Sequence, residues 1–288
     1  MKTTSSIKQS LKAISDTNQI TSAMRLISTS KMQKSIQKYQ ANSIYFNRVR
    51  ACLKDILVHS PQLHHRYLER QPAGKPTFVV IAADKGLCGG YNHNILSYAH
   101  HLIRRYQDSY VITIGQEARA YFEREGVPID VEYLHISQDP TLYHARNLAF
   151  EICNMYLNQD INEVYILYTK YISSMKQEPC YIQLLPVGMD DFADVELETE
   201  YASKLEYYPS TNEVLDVLIS QYIIGIVYGA LVQAYASENC QRMMAMENAS
   251  KNAKEMIAKL TVQLNRARQQ GVTRDITEIV GAMDALEN

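Results

Sequence analysis

Residues 249–267 read ASKNAKEMIAKLTVQLNRA, and this stretch decides the fold. Its apolar side chains recur at steps of three or four residues, at Ala249, Ala253, Met256, Leu260, Leu264 and Ala267. The steps average about 3.6 residues, which is one turn of an α-helix, so they predict a helix with a single apolar stripe. Because one narrow stripe is stable only when it is covered, we expect this helix to pack against another one.

The opposite end of the chain provides the partner. All eight prolines lie between positions 61 and 209, and residues 1–73 contain no glycine, so both ends permit very long helices. We predict helices over 3–58 and 211–286, with lengths of roughly 84 and 114 Å, too long for the interior of a compact domain. In the first helix the expected stripe is Ile7, Leu11 and Ile14, followed by Ile20, Met24 and Ile27. The spacing predicts a coiled coil and leaves open whether it is parallel or antiparallel.

The middle of the chain has the pattern of an α/β domain. Short apolar and β-branched runs typical of buried strands occupy 77–83, 110–114 and 163–168. Helical patterns alternate with them, at 91–105, 116–125 and 142–158. This alternation predicts a mostly parallel sheet that is covered on both faces.

One apolar segment, residues 217–235, has the length of a membrane span and no formal charge. Serine, glutamine and tyrosine residues interrupt it, and Asp216 and Glu238 flank it. We therefore predict a buried helix that anchors the long C-terminal helix to the α/β domain. The first fifteen residues lack an apolar core, so no secretory signal is expected. A mitochondrial presequence is not expected either, because the stretch continues without a break into the predicted first helix.

Charge is distributed unevenly along the chain. The net charge is only −2, yet residues 1–54 hold ten Lys or Arg and one acid, Asp16. Residues 190–213 hold eight acids and one base, Lys204. The basic segment either faces an acidic loop, a nucleic acid or an anionic lipid, or is a solvated helix face.

Few residues point to chemistry. The five cysteines form no CxxC pair, which favours a reducing compartment, and the histidine pairs lack metal-site spacing. No GxSxG sequence is present, and we predict no cofactor and no metal. Residues 84–92, DKGLCGGYN, follow a predicted strand and open a helix, where backbone N–H groups could bind phosphate. Their GxxGG spacing matches neither common nucleotide motif, so a tight structural turn is the favoured interpretation.

Three segments together resemble the gamma subunit of F-type ATP synthases: residues 20–32, residues 84–92 and residues 248–288. The resemblance extends over essentially the whole chain. It implies an α/β protein in which the N- and C-terminal helices form a long antiparallel coiled coil with an inserted Rossmann-like α/β domain. The implied division is 1–60 for the first helix, 75–208 for the α/β domain and 209–288 for the last helix.

The resemblance also implies a function. In this family the coiled coil is the central rotor shaft in a ring of alternating alpha and beta subunits, and its foot binds epsilon and the membrane c-ring, with delta elsewhere in the complex. Ion flow turns the shaft, and ATP is made or hydrolysed on beta, so the chain itself is expected to be no enzyme and to bind no nucleic acid. The expected location is the cytoplasmic side of a bacterial inner (plasma) membrane, peripheral to it; H⁺ or Na⁺ as driving ion stays open.

The resemblance implies that six residues contact partner subunits. Met24, Arg242, Gln269 and Thr273 match positions that the family uses for packing within the shaft or for contacts with beta. Arg25 and Lys31 are expected to steer the basic helix toward an acidic beta loop. The polar stretch 28–30 is expected to make weak contacts that allow sliding.

Two alternatives from other classes remain at this stage. One is a coiled-coil adaptor, which would form stable homodimers. The other is a nucleotide-binding α/β enzyme with a helical arm, which would need phosphate at residues 86–90.

Overall fold

The computed structural model describes residues 4–60, 64–158, 160–196, 208 and 210–287, without the side chains of Asp275, Gly281 and residues 283–287. The helices are α1 (Thr4–His59), α2 (Tyr91–Ile103), α3 (Gln116–Glu125), α4 (Leu142–Leu157) and α5 (Thr211–Glu287). The strands are β1 (Lys75–Ile81), β2 (Tyr110–Ile114), β3 (Val131–Tyr133), β4 (Ile161–Ser173) and β5 (Lys176–Leu185). Both predicted long helices are confirmed, to within one residue at each end.

The chain divides into two compact units. One is Thr29–Gln241, and the other combines Met1–Ser28 with Arg242–Asn288. Helices α1 and α5 contribute residues to both units. The division at residues 60 and 209 stays a prediction.

The unit Thr29–Gln241 contains a five-stranded sheet of order β3-β2-β1-β4-β5. The first four strands are parallel, and β5 pairs antiparallel with β4. The predicted, mostly parallel sheet is therefore confirmed. The sequence pattern did not reveal β3, which has only three residues, or β5, in which Pro179 interrupts the strand pattern. Proline is tolerated there because β5 is an edge strand.

Side chains of β1 alternate between the two faces of the sheet. Val79 and Ile81 belong to an apolar cluster that includes side chains of α1, α4 and α5. Phe78 and Val80 belong to a second cluster with side chains of α2 and α3. Because both faces are covered, the strand reads as a continuous apolar run, and the prediction of a sheet buried on both sides is confirmed.

The apolar part of α5 lies in the core of this unit. By length and composition α5 is a helix that could cross a membrane. However, Leu215, Ile219, Ile223 and Val227 are completely buried in the cluster that covers the sheet. They are spaced by four residues, so one face of α5 packs on the α/β domain. The predicted anchoring helix is confirmed.

Helices α1 and α5 run antiparallel within this unit. The Lys31 ammonium lies 5.8 Å from the centroid of the Tyr235 ring. Further along α1, Phe46 stacks on Tyr222 with 5.7 Å between ring centroids. Residue numbers rise along α1 while those of their partners fall along α5, which confirms the antiparallel order that the resemblance implied.

In the other unit the buried stripe differs from the predicted one. Ile7 is buried, and Leu11, Ile14 and Met24 are half-buried, as predicted. However, Ile20 and Ile27 are 60% and 57% exposed, and Thr21 and Ser28 are buried in their place. The seam advances seven residues at a time from Ile7, as in a coiled coil, and so reaches small polar residues. At these two positions the prediction chose the apolar residues Ile20 and Ile27, which lie one residue, or about 100° around the helix axis, away from the seam.

On α5 the predicted stripe is confirmed except at Met256: Ala253 is buried, and Ala249, Leu260, Leu264 and Ala267 are half-buried. Met256 is 52% exposed, whereas Ile257 is half-buried. Ser28 belongs to the buried seam, so only part of the stretch 28–30 is available for the predicted sliding contacts. The prediction for Ser28 was therefore wrong.

The connection between α1 and β1 is held against the start of α5. The Arg66 guanidinium donates to Asp216 Oδ1 through Nε at 3.2 Å and through Nη2 at 2.9 Å. His65 Nε2 lies 3.3 Å from the same oxygen, and the Tyr67 N–H lies 3.4 Å from His65 Nδ1. Burial lowers the pKa of His65, with a smaller opposing effect of Asp216. This histidine is therefore accommodated in its neutral form.

We expect Gly225→Ala to destabilise the protein by about 1–3 kcal/mol. An ideal Cβ at Gly225 would lie 2.3 Å from Phe46 Cδ2, so the stacked ring would have to move. Gly229→Ala is the matched control, because its Cβ would lie 3.6 Å from Tyr39 Cε2, an ordinary contact. That control should gain up to about 1 kcal/mol of helix propensity. Urea denaturation of both variants measures the difference, and equal stabilities would contradict the packing argument.

We expect part of the acid sensitivity of the fold to come from His65. Its pKa is lowered in the folded state, so the unfolded chain, with histidine pKa near 6.5, binds the proton more readily. The contribution of His65 to stability is therefore present above about pH 6.5 and is lost as the pH falls through its folded pKa. His65→Gln should flatten the fall in unfolding free energy as the pH decreases below about 6.5. His64→Gln, at the exposed neighbour, is the control; equal slopes in the wild type and His65→Gln would refute the assignment.

Candidate functional site

The glycine-rich turn after β1 is organised around Asp84. This side chain is only 6% exposed. Its Oδ1 accepts the N–H of Gln116 at 3.1 Å and that of His135 at 3.3 Å, and its Oδ2 accepts the Ser137 hydroxyl at 2.6 Å. Asp84 thus joins the turn after β1 to the start of α3 and to the short 3₁₀ turn Ile136–Gln138. Its carboxylate is occupied by the protein's own donors.

The turn also closes on itself. Asn92 Oδ1 accepts the Ala83 N–H at 3.0 Å, and Asn92 Nδ2 lies 3.4 Å from Cys88 Sγ. The Tyr91 N–H donates to the Cys88 carbonyl at 3.2 Å. Gly89 has φ of 59°, a left-handed conformation that glycine adopts without strain. These bonds use groups that a phosphate-binding loop would keep available.

A carboxylate stands beside this turn. An ideal Cβ at Gly86 would lie 3.7 Å from Glu117 Oε1. Both residues line a cleft of about 320 Å³ at the turn. A negative charge here disfavours a bound phosphate. The geometry therefore supports the structural-turn interpretation over nucleotide binding.

A larger cleft of 460 Å³ lies between α1, α5 and the β4–β5 hairpin. Its cation, Arg50, donates through Nη1 to Asp194 Oδ2 at 3.0 Å and through Nη2 to the Asp191 carbonyl at 2.7 Å. The hydrogen bond from Arg50 lowers the pKa of Asp194 and in turn raises that of Arg50. Nearby, Lys54 Nζ donates to the Val195 carbonyl at 2.5 Å. The basic segment of α1 therefore already meets part of the acidic segment 190–213; residues 197–207 lie outside the described residues.

No metal centre is apparent in the part of the chain that the structure describes. Among those residues, no group of three or more His, Cys, Asp or Glu side chains is placed to hold an ion. The candidate site is accordingly a contact surface on the long helices.

The six residues expected to contact partners lie on α1 and α5 at separate levels. Lys31 is exposed, and its ammonium lies over the Tyr235 ring. Met24, Arg25 and Arg242 are half-buried. Gln269 is 27 residues beyond Arg242 on the same helix, a distance of about 40 Å. The structure therefore does not gather the six residues into one pocket.

Two of the six are in direct contact. Gln269 and Thr273 are both exposed, and the Thr273 hydroxyl donates to the Gln269 carbonyl at 3.0 Å. Their spacing of four residues places them on one face of α5. The adjacent Arg274 pairs with Glu278 at 3.4 Å. This face offers a side-chain amide and charged groups to a partner.

Exposed apolar side chains on the same helices escaped the sequence reasoning. Ile20, Leu26 and Ile27 of α1 are exposed, as are Val272 and Ile276 of α5. Exposed apolar side chains of this kind are available for contact with another protein. The exposure of Ile20 and Ile27 could have been predicted by tracing the seam in steps of seven residues from Ile7, because both lie one residue away from it.

We expect Asp84→Ala to cost about 2–4 kcal/mol of unfolding free energy, since it leaves three donors, one of them the buried Ser137 hydroxyl, without their acceptor. Ser137→Ala removes only one of these bonds and should cost about 1 kcal/mol. Urea denaturation of the two variants and the wild type provides the measurement. An Asp84→Ala protein as stable as Ser137→Ala would show that the carboxylate is not the organising group.

Comparison with known proteins places the whole chain in one family. The family model described as ATP synthase matches residues 3–286. The ATP synthase gamma chain of Ruminiclostridium cellulolyticum is 41% identical over 287 residues, covering 98% of both chains. That of Acetivibrio thermocellus is 37% identical over 289 residues, also covering 98% of both.

Solved structures show the same fold at lower identity. The rotor of the Euglena gracilis mitochondrial ATP synthase matches with a TM-score of 0.65 at 14% identity, covering 93% of this chain and 98% of that one. The central stalk and c-ring structure from Tetrahymena thermophila matches with a TM-score of 0.61 at 21% identity, covering 80% and 99%. On the strength of the near full-length sequence matches, the chain belongs to the ATP synthase gamma chain family.

Proposed function

We propose that this chain is the central rotor shaft of an F-type ATP synthase. It couples ion flow through the membrane c-ring to conformational change at the catalytic beta subunits, where ATP is synthesised or hydrolysed. The observation that carries the proposal is the sequence match to gamma chains, 41% identical to one of them over nearly the full length. The pair of long antiparallel helices agrees with it. The chain itself is a structural, non-catalytic subunit.

The helix pair has the mechanical properties that a shaft requires. Helices α1 and α5 contain 56 and 77 residues, and neither contains a proline. Proline is the main cause of sharp helix kinks, and a second helix supports the first through the seam. Torque applied at one end is therefore transmitted along the pair and not lost in a local bend.

The partners follow from this role. The shaft contacts the alpha and beta subunits of the ring, epsilon and the c-ring, within a complex that also contains delta. The complex is membrane-associated, and the chain is peripheral to the membrane. We place it on the cytoplasmic side of a bacterial plasma membrane, an assignment supported by the bacterial source of its relatives.

The contact surface of the shaft is assigned to two levels. Gln269 and Thr273 form one level near the end of α5, together with exposed apolar side chains such as Val272 and Ile276. Met24, Arg25, Lys31 and Arg242 form the second level. Mixed polar and apolar contacts at both levels suit a surface that is bound and released as the shaft turns.

We expect the double variant Gln269→Ala/Thr273→Ala to reduce ATP-driven proton pumping in the assembled complex by roughly half or more, while hydrolysis is retained. The physical reason is the loss of exposed polar contacts to the ring. Pumping and hydrolysis are measured on the same membrane vesicles. A matched control is Thr261→Ala/Gln263→Ala on the same helix, because the exposed Thr261 hydroxyl makes the same type of bond, to the Ile257 carbonyl at 2.8 Å. A pumping-to-hydrolysis ratio equal to that of the control would refute the assignment.

The rotor role itself is tested with the purified complex. A bead or rod attached to exposed residues of the α/β domain should rotate in steps during ATP hydrolysis when the ring is fixed to a surface. Hydrolysis without rotation of this chain would overturn the proposal.

The two alternative classes give different results in solution. An adaptor would sediment as a stable homodimer, whereas the shaft is expected to sediment as a monomer that binds alpha and beta subunits. A nucleotide-binding enzyme would bind ATP in calorimetry of the isolated chain, whereas the occupied Asp84 turn predicts no binding there.

A further inference from the structure

Three side chains of α1 meet one hydroxyl of α5 in the unit formed by residues 1–28 and 242–288. Ser250 Oγ donates to Asn18 Oδ1 at 2.8 Å. It also lies 2.9 Å from Ser22 Oγ and 3.3 Å from Thr21 Oγ1. Ser250 is only 8% exposed. A serine hydroxyl has one donor and two acceptor positions. Ser250 uses its donor on Asn18 and one acceptor position for Ser22, while the Thr21 hydroxyl donates to the Asn18 carbonyl at 3.1 Å.

In the unit Thr29–Gln241 the stacked rings of Phe46 and Tyr222 align the two helices. The apolar residues around the polar cluster do not by themselves define an alignment within their own unit. On α5 the residues seven and fourteen positions after Ser250 are Ile257 and Leu264, both half-buried. On α1 the residues seven and fourteen positions before Thr21 are Ile14 and Ile7, also turned inward. A displacement by one heptad, about 10 Å, would exchange one aliphatic contact for another.

The polar cluster removes this ambiguity. After such a displacement Ser250 would lose the Asn18 side chain as its acceptor, and Asn18 and Ser22 would face Ile257 or Met243 instead of a hydroxyl. Thr21 would keep the hydrogen bond that its hydroxyl donates to the Asn18 carbonyl at 3.1 Å. A buried polar group without hydrogen bonds is unfavourable, and a single polar position is known to fix register in coiled coils. The observed alignment gives the buried Ser250 hydroxyl its partners on α1.

We propose that Ser250, together with Asn18, Thr21 and Ser22, is a register lock that holds α1 and α5 in one axial alignment. The lock is a property of the chain itself. Its consequence for coupling rests on the proposed rotor function, because a shaft whose helices slide past each other loses part of the applied torque.

The lock is tested by measuring a distance between spin labels on the two helices of the full chain. Labels are attached at Lys8→Cys and Glu247→Cys, both exposed positions, after Cys52→Ser and Cys180→Ser replace the accessible native cysteines. With Ser250 present we expect one narrow distance. With Ser250→Ala we expect a broadened distribution or a second distance, displaced by up to about 10 Å. Asn252→Ala, two residues away and exposed, is the control and should match the parent.

Further variants separate the lock from general instability. Ser250→Thr keeps a hydroxyl and should restore a narrower distribution than Ser250→Ala. Ser22→Ala removes one bond and leaves Ser250 in place, so it tests the lock if Ser250→Ala does not fold. A Ser250→Ala distribution as narrow as that of the parent, at the same distance, would overturn the proposal.

The functional consequence is measured separately in the assembled complex. Ser250→Ala should lower the ratio of proton pumping to ATP hydrolysis relative to Asn252→Ala. A changed distance with an unchanged ratio would support the lock and refute its link to coupling. An unchanged distance overturns the lock whatever the complex does, so the two failures are distinguishable.

Discussion

The structure depends on one constraint: a long helix with a single apolar stripe is stable in water only when a second helix covers that stripe. Helix α1 has 56 residues and α5 has 77, and much of each carries only a narrow seam. Where the α/β domain is present, α5 gains a second buried face through Leu215, Ile219 and Ile223. Elsewhere the two helices depend on each other. This mutual dependence explains why neither end contains a proline, since a kink in one helix would remove the cover of the other.

The α/β domain holds these helices and shows no arrangement for catalysis at its glycine-rich turn. The carboxyl ends of parallel strands are the usual place for a ligand in such sheets. Here the Asp84 carboxylate lies at that position and accepts hydrogen bonds from a backbone N–H and a hydroxyl of neighbouring turns. The Glu117 carboxylate adds a negative charge. Other polar groups serve attachment as well: Arg50 holds the segment at Asp191 and Asp194 against α1. The fold has the layout of a nucleotide-binding domain, but its polar side chains are used to fix loops in place.

The sequence predicted elements best where backbone chemistry sets the boundary. The ends of α1 and α5 follow from the placement of prolines, and the three central strands follow from runs of β-branched residues buried on both faces. The prediction failed where composition and position disagree. Strand β5 has exposed polar residues and Pro179 because it lies at an edge, so it lacks the pattern of a buried strand. The seam of α1 was misplaced by one residue because Thr21 and Ser28 occupy it while Ile20 and Ile27 do not. Gln269 and Thr273 were predicted as contact residues from the resemblance alone, because their role depends on the surface of a partner, which the sequence of this chain does not contain.

The inverted polarity of α1 explains how one pair of helices supports both its own structure and contacts with a partner. In an ordinary coiled coil the large apolar residues fill the seam and polar residues face the solvent. In this unit Thr21 and Ser28 are inside, while Ile20 and Ile27 are outside. Small polar residues in the seam allow close approach and hydrogen bonds that specify alignment, but they contribute little apolar burial. The large apolar residues are exposed on the outer surface. This part of the pair is thus specified by its polar contacts within the chain, and any partner that covered the exposed residues would add to its stability.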